Sequence, residues 1–106
     1  GVVGGVVGGT GKVVEFDFTQ IKELSRPPTP PYPAVARAAR VQGKVVVEIV
    51  INPEGVPTQA TAIEGPPLLR KVAQDYAMGW RFEPALLNGQ PQWAKFKLVM
   101  PFKLTN

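Results

Sequence analysis

The sequence predicts an α+β domain. We expect a small three-stranded antiparallel sheet in the order 2-1-3, with two helices packed on one of its faces and an N-terminal stretch beside it. Three observations carry this. Gly43–Ile51 is a β-branched run bounded by glycine on one side and by Asn52-Pro53-Glu54-Gly55 on the other, the signature of a strand that ends in a tight turn. Leu69, Val72, Ala73, Tyr76, Ala77 and Trp80 recur at three- and four-residue spacing, which marks a helix with one apolar face. Gln92–Leu104 alternates apolar and polar along its whole length, as a strand covered on one face does.

In chain order, residues 1–11 repeat Gly and Val and read as a linker, too rich in glycine to hold regular structure. Residues 12–29 form an extended arm. Within it Val14, Phe16 and Phe18 alternate with Val13, Glu15 and Asp17, so residues 13–18 either dock as an edge strand or stay loose. Prolines at 27, 28, 30, 31 and 33 make the approach to the domain stiff and polyproline-like. The domain proper is placed at residues 30–106.

Tyr32 is the first anchor, and Pro33 opens a short helix over Ala34–Arg40, which stops near Gly43. The central strand Gly43–Ile51 puts Val45, Val47, Ile49 and Ile51 on one face; Lys44, Val46, Glu48 and Val50 form the wetter one. A second strand, Val56–Ile63, returns antiparallel to it. Glu64-Gly65-Pro66-Pro67 then starts the longer helix, Leu68 to about Trp80, whose stripe is expected on the Val45–Ile51 face. Phe82–Leu87 reads as a short extended connection and Asn88-Gly89 as a turn.

The last strand carries the functional argument. Ala94, Phe96, Leu98, Met100, Phe102 and Leu104 share one face; Trp93, Lys95, Lys97, Val99, Pro101 and Lys103 share the other. Proline cannot donate to a ladder, so Pro101 predicts an edge strand. Main-chain groups of alternate residues point to opposite sides. With Pro101 on the open side, Lys95, Lys97 and Val99 are open too. An edge studded with lysine discourages unwanted pairing, and it equally suits the addition of a foreign strand. Trp93, Lys95, Lys97, Val99 and Pro101 are therefore the candidate partner-binding residues.

Composition excludes much else. The chain has 106 residues with neither cysteine nor histidine, which removes disulfides, thiolate nucleophiles and the usual zinc ligands. We expect no enzyme, no cofactor and no metal. Twelve Lys+Arg against 8 Asp+Glu give a net charge of +4, but Trp93 is the lone outward aromatic beside the lysines, so no stacking platform for nucleic acid is expected. No apolar run is long enough to span a bilayer. Trp80, at the end of an apolar stripe, reads as core, and Glu48 and Glu64 read as solvated side chains.

The ordered set Pro31-Tyr32-Pro33, Ala36-Arg37, Gln42-Gly43, Val45 and Val47, Gly55, Trp80-Arg81-Phe82-Glu83-Pro84-Ala85, Asn88-Gly89-x-Pro91 and a closing Phe102-x-Leu104 resembles the C-terminal domain of the TonB energy-transducer family, over about Leu24 to Leu104. The resemblance implies a periplasmic domain at the end of a proline-rich stalk. It implies an inner-membrane anchor helix that this sequence lacks, so that the chain is an excised domain, and a drive from the ExbB–ExbD proton channel. The partner implied is the TonB box of an outer-membrane transporter, added as a strand beside Gln92–Leu104. In better-known members a glutamine ahead of the Pro-x-Tyr-Pro segment also touches the peptide; here Thr29 stands there, next to Pro30. A strand-exchanged homodimer is a further expectation, because an open edge lies next to a detachable arm. The rival reading is an envelope interaction module of the same fold that binds peptidoglycan or a secretion partner.

Overall fold

In a computed structural model, residues 13–104 are described; the Gly/Val-rich stretch 1–11 lies outside them. The elements are strands β1 (Val13–Glu15), β2 (Glu23–Ser25), β3 (Gly43–Ile51), β4 (Pro57–Glu64), β5 (Arg81–Phe82), β6 (Ala85–Leu87) and β7 (Gln90–Phe102), with helices α1 (Ala34–Ala38) and α2 (Pro67–Met78).

The architecture is α+β with two helices and a mixed sheet, larger than the purely antiparallel three-stranded sheet expected. Its order is β4-β3-β7-β1, and β6 pairs with the start of β7. β3 meets β7 antiparallel in an unbroken register from Gly43 opposite Phe102 to Ile51 opposite Ala94. β1 adds parallel to β7, Val13 opposite Trp93 and Glu15 opposite Lys95. A separate antiparallel pair joins β2 to β5. The Phe82–Leu87 stretch is thus two short strands, each tied to a different partner.

The buried face of β3 is the expected one. Val45, Val47, Ile49 and Ile51 are fully enclosed, packed with Leu69, Ala73 and Ala77 of α2 and with Phe82, Phe96 and Leu98. Each such aliphatic side chain contributes about 1.5–3 kcal/mol by leaving water. Val46, Glu48 and Val50 on the other face are only half-buried. Trp80 belongs to the core, with its ring stacked on Phe82 at 5.8 Å and met edge-on by Tyr76 at 5.7 Å.

Local chemistry sets the ends of the elements. Asn52 Oδ1 accepts from the N–H groups of Glu54 and Val56, both at 3.0 Å, and closes the β3–β4 turn. The β3–β4 ladder slips between Val46 and Val47, and the N–H of Ala62, which faces away from β3, donates to Gln74 Oε1 of α2 at 2.8 Å. Asn88 and Gly89 both have positive φ, 53° and 80°, as a two-residue hairpin between β6 and β7 requires. α1 is shorter than expected, because Arg40 swings to a positive φ of 56° and Val41 N–H bonds back to Ala36 O. β1 also ends early. Asp17 caps a 3₁₀ turn at Phe18–Gln20, with Gln20 bonding back to the Asp17 N–H, so the chain leaves the sheet after Phe16.

Candidate functional site

The site is built on the parity of β7. Pro101 stands opposite Lys44 and has no N–H to give, so this pair is a non-hydrogen-bonded one; every second pair along the antiparallel ladder is then of the same kind. Val99 opposite Val46, Lys97 opposite Glu48 and Lys95 opposite Val50 therefore turn their main-chain groups away from β3. One hydrogen bond fixes this directly: Phe16 N–H donates to Lys95 O at 2.9 Å from the far side.

That bond also divides the edge. β1 covers Trp93–Lys95, whereas past Phe16 the chain turns off. Among the described residues, the outward N–H and C=O groups of Lys97 and Val99 and the C=O of Pro101 meet no hydrogen-bond partner. The expectation of a wholly open strand is corrected here: Lys95 is paired on its outer side, because the N-terminal arm docks as an edge strand. The side chains of Lys97, Val99 and Pro101 are exposed, Val99 by 51%.

Two clefts flank the free stretch. One, of about 470 Å³, lies where β1 departs and is lined by Phe16, Phe18, Glu48, Lys95 and Lys97. The other, of about 350 Å³, runs between the end of β7 and the proline arm; Val99, Pro101 and Lys103 form one wall, and Thr29, Pro30 and Arg26 the other, with Tyr32, Tyr76 and Trp80 also lining it. Of the candidate residues, Thr29 and Pro30 are thus brought together with Val99 and Pro101. Trp93 and Lys95 lie at the β1 end of the strand.

The arm wall is held by Arg26. Its Nε and Nη2 donate to the two Glu23 carboxylate oxygens at 2.7 and 2.6 Å, and its guanidinium lies 4.2 Å above the Trp80 ring. The Arg26 hydrogen bond, ahead of its charge, holds the Glu23 carboxyl below its ordinary range, and the same bond pushes the Arg26 guanidinium up. Pro27 sits against Gly79, where a Cβ would come within 2.8 Å of the proline ring. Further along, the Tyr32 hydroxyl donates to Val41 O and its ring meets Phe102 edge-on at 6.2 Å. The last strand is pinned beyond its end by Leu104 N–H, which donates to Gln42 Oε1 at 3.0 Å.

Arg26, Tyr76 and Trp80 as groove residues are not legible in the sequence. Tyr76 and Trp80 share a helical apolar stripe, and nothing in that stripe says that their far edges meet a cleft. Among the described residues no group of three or more His, Cys, Asp or Glu could hold a metal ion, and no helix is long and apolar enough to cross a membrane. What the geometry offers is a hydrogen-bonding edge beside an aromatic groove, a surface suited to an extended chain.

Known proteins resemble this one over the same region. Residues 28–104 match the family model described as Gram-negative bacterial TonB protein C-terminal. A curated relative, Protein TonB of Vibrio cholerae serotype O1, is 30% identical over 77 residues, which is 71% of this chain and 32% of that protein. The chain therefore spans about a third of that relative's length. The solution NMR structure of the Pseudomonas aeruginosa TonB C-terminal domain superposes with a TM-score of 0.59 at 29% identity, covering 83% of this chain and 90% of that one.

Proposed function

This chain belongs to the Gram-negative bacterial TonB protein C-terminal family, and we propose that it is the receptor-binding domain of a TonB-type transducer, which takes the TonB box of an outer-membrane transporter as an added strand along Lys97–Pro101. The observation that supports this is the run of outward, unpartnered main-chain groups at Lys97, Val99 and Pro101. Such an edge gives affinity through main-chain hydrogen bonds and leaves selection to the side-chain clefts on either side. Lys97 and the neighbouring lysines favour an acidic or neutral strand over a basic one. Thr29 and Pro30, across the groove from Val99 and Pro101, are the second wall against which the strand lies.

In this reading the domain works in the periplasm at the end of a longer protein, whose N-terminal region anchors it in the inner membrane and couples it to ExbB–ExbD. The domain itself does no chemistry. It provides the grip through which inner-membrane energy reaches a transporter. With the partner strand absent, the same edge can take a second copy of the chain, giving a strand-exchanged homodimer.

The test is amide hydrogen exchange with a synthetic TonB-box peptide. Lys97 and Val99 exchange freely in the isolated domain and become protected when the peptide binds. Binding of cell-wall fragments, with both amides still exchanging freely, would replace this reading by the peptidoglycan one.

A further inference from the structure

The outer edge of β7 is two sites in series, and the protein fills the first itself. β1 lies parallel along Trp93–Lys95, and only Phe16 separates it from the capped turn that starts at Asp17. Its hold is slight. β1 has three residues with Val13 and Glu15 exposed, and the single ion pair it makes among the described residues, Glu15 with Lys95, spans 4.0 Å. On the other side of the same strand, β3 holds β7 through the full register from Gly43 to Ile51.

The anchor immediately after β1 is much firmer. The Phe18 ring lies 6.1 Å from that of Phe96, Ile21 is buried, and Glu83 N–H donates to Lys22 O at 2.8 Å. If β1 peels off, it remains tethered at Asp17, close to the edge it left. A tethered strand competes at a high local concentration, however weakly it pairs.

We propose that Val13–Glu15 is a displaceable cap, a strand of the protein's own that occupies the Trp93–Lys95 half of the edge and so limits the length of partner strand the domain can take. The proposal rests on the strand-addition reading above. A strand that pairs with Lys97–Pro101 alone binds beside the cap. A longer one, reaching Lys95 and Trp93, must first displace it, and its apparent affinity falls by the fraction of molecules in which β1 is already open. The cap thereby ranks partners by how far their extended segment reaches.

Val14→Pro is the variant that opens the cap. Phe16 N–H points at β7, and by strand parity the main-chain groups of Val14 point the same way, so proline there removes a ladder bond without touching the core. The probes are two synthetic TonB-box peptides, one of about five residues and one of about nine, matched to the free half and to the whole edge. Hydrogen exchange at Lys95, Lys97 and Val99 is followed alongside affinity. In the parent, free of peptide, Lys95 is protected; in Val14→Pro it exchanges. The long peptide binds the variant about three- to tenfold more tightly than the parent, while the short one binds both alike.

Equal affinity of the long peptide for both proteins, with Lys97 and Val99 protected in each, overturns the cap and leaves strand addition standing. A Lys95 amide still protected in Val14→Pro, or exchanging freely in the parent, also overturns the cap. If neither peptide protects Lys97 or Val99 in either protein, the strand-addition reading falls and the cap falls with it.

Discussion

Phe82 donates its N–H to the carbonyl oxygen of Gly55 at 3.0 Å, and a Cβ on Gly55 would stand 1.9 Å from the carbonyl oxygen of Phe82. The β3–β4 turn and β5 therefore meet backbone to backbone, with no room for a side chain between them. Gly55 also has a φ of +85°, a conformation that L side chains rarely adopt. Gly55→Ala is expected to destabilise the domain by about 3 kcal/mol or more, through clash and backbone strain together. Urea unfolding measures it, and a loss below about 1 kcal/mol would mean that the turn and β5 separate easily.

The second expectation concerns the enclosed face of the sheet. Val47 is fully buried beneath the helix layer, so Val47→Asp places a carboxylate where no cation can reach it. The cost is about 3–5 kcal/mol, comparable to the whole stability of a small domain. Circular dichroism of the variant should show loss of the folded signal. A cooperative native transition would contradict the packing.

Lys97→Pro separates edge from fold. The Lys97 N–H points away from β3, so its loss leaves the β3–β7 ladder intact and the midpoint of urea unfolding nearly unchanged. On the strand-addition reading, capture of a TonB-box peptide is lost, since the substituted position lies on the side proposed to receive the added strand. Retained affinity, measured by isothermal titration, would move the receiving surface elsewhere.

The arm wall carries a pH dependence. Glu23 is held below its ordinary value of 4.5 by the Arg26 hydrogen bond. A carboxylate with a lowered folded pKa stabilises the folded state fully above its unfolded pKa, and this contribution disappears as pH falls through the lower folded value. Docking of the arm over Trp80 should therefore loosen only in acid below about pH 4.5 and be insensitive to pH near neutrality. An NMR titration of the Glu23 carboxyl reads this directly, and in Arg26→Ala its midpoint should return toward the ordinary value.

How much of this was legible varies with the kind of signal. Val45, Val47, Ile49 and Ile51 announce a buried face because β-branched residues at a period of two leave little choice of register. The α2 stripe is equally plain, since Leu69, Ala73, Ala77 and Trp80 follow one another at steps of three or four residues, the spacing of one helix face. Pro101 fixes the outer side of β7 by what it lacks. The docking of Val13–Glu15 was legible only as one of two alternatives: an alternating stretch pairs with any free edge or with none, and its parallel sense depends on where the chain turns at Asp17. Nor did the sequence reveal that Arg26 lies over Trp80. Arg26 stands alone ahead of the prolines, and only the fold brings it across to the end of α2. The short pairings β2–β5 and β6–β7 escaped for a related reason, because two or three residues carry too little pattern to distinguish a strand from a link.

The parity of β7 also bears on how such a domain can change over generations. Ala94, Phe96, Leu98 and Met100 are buried, whereas Lys97, Val99 and Pro101, the residues whose main-chain groups turn outward, carry exposed side chains. One set of alternating positions answers to the core and the other to whatever lies outside. A mutation at an odd-numbered position from 97 to 101 can alter charge, bulk or hydrogen-bonding capacity toward a visitor while leaving the interior packing as it was. If this edge receives a partner strand as proposed, partner preference is thereby free to drift at low risk to folding. Lineages meeting different partners would diverge at every second residue of this strand and agree at the rest.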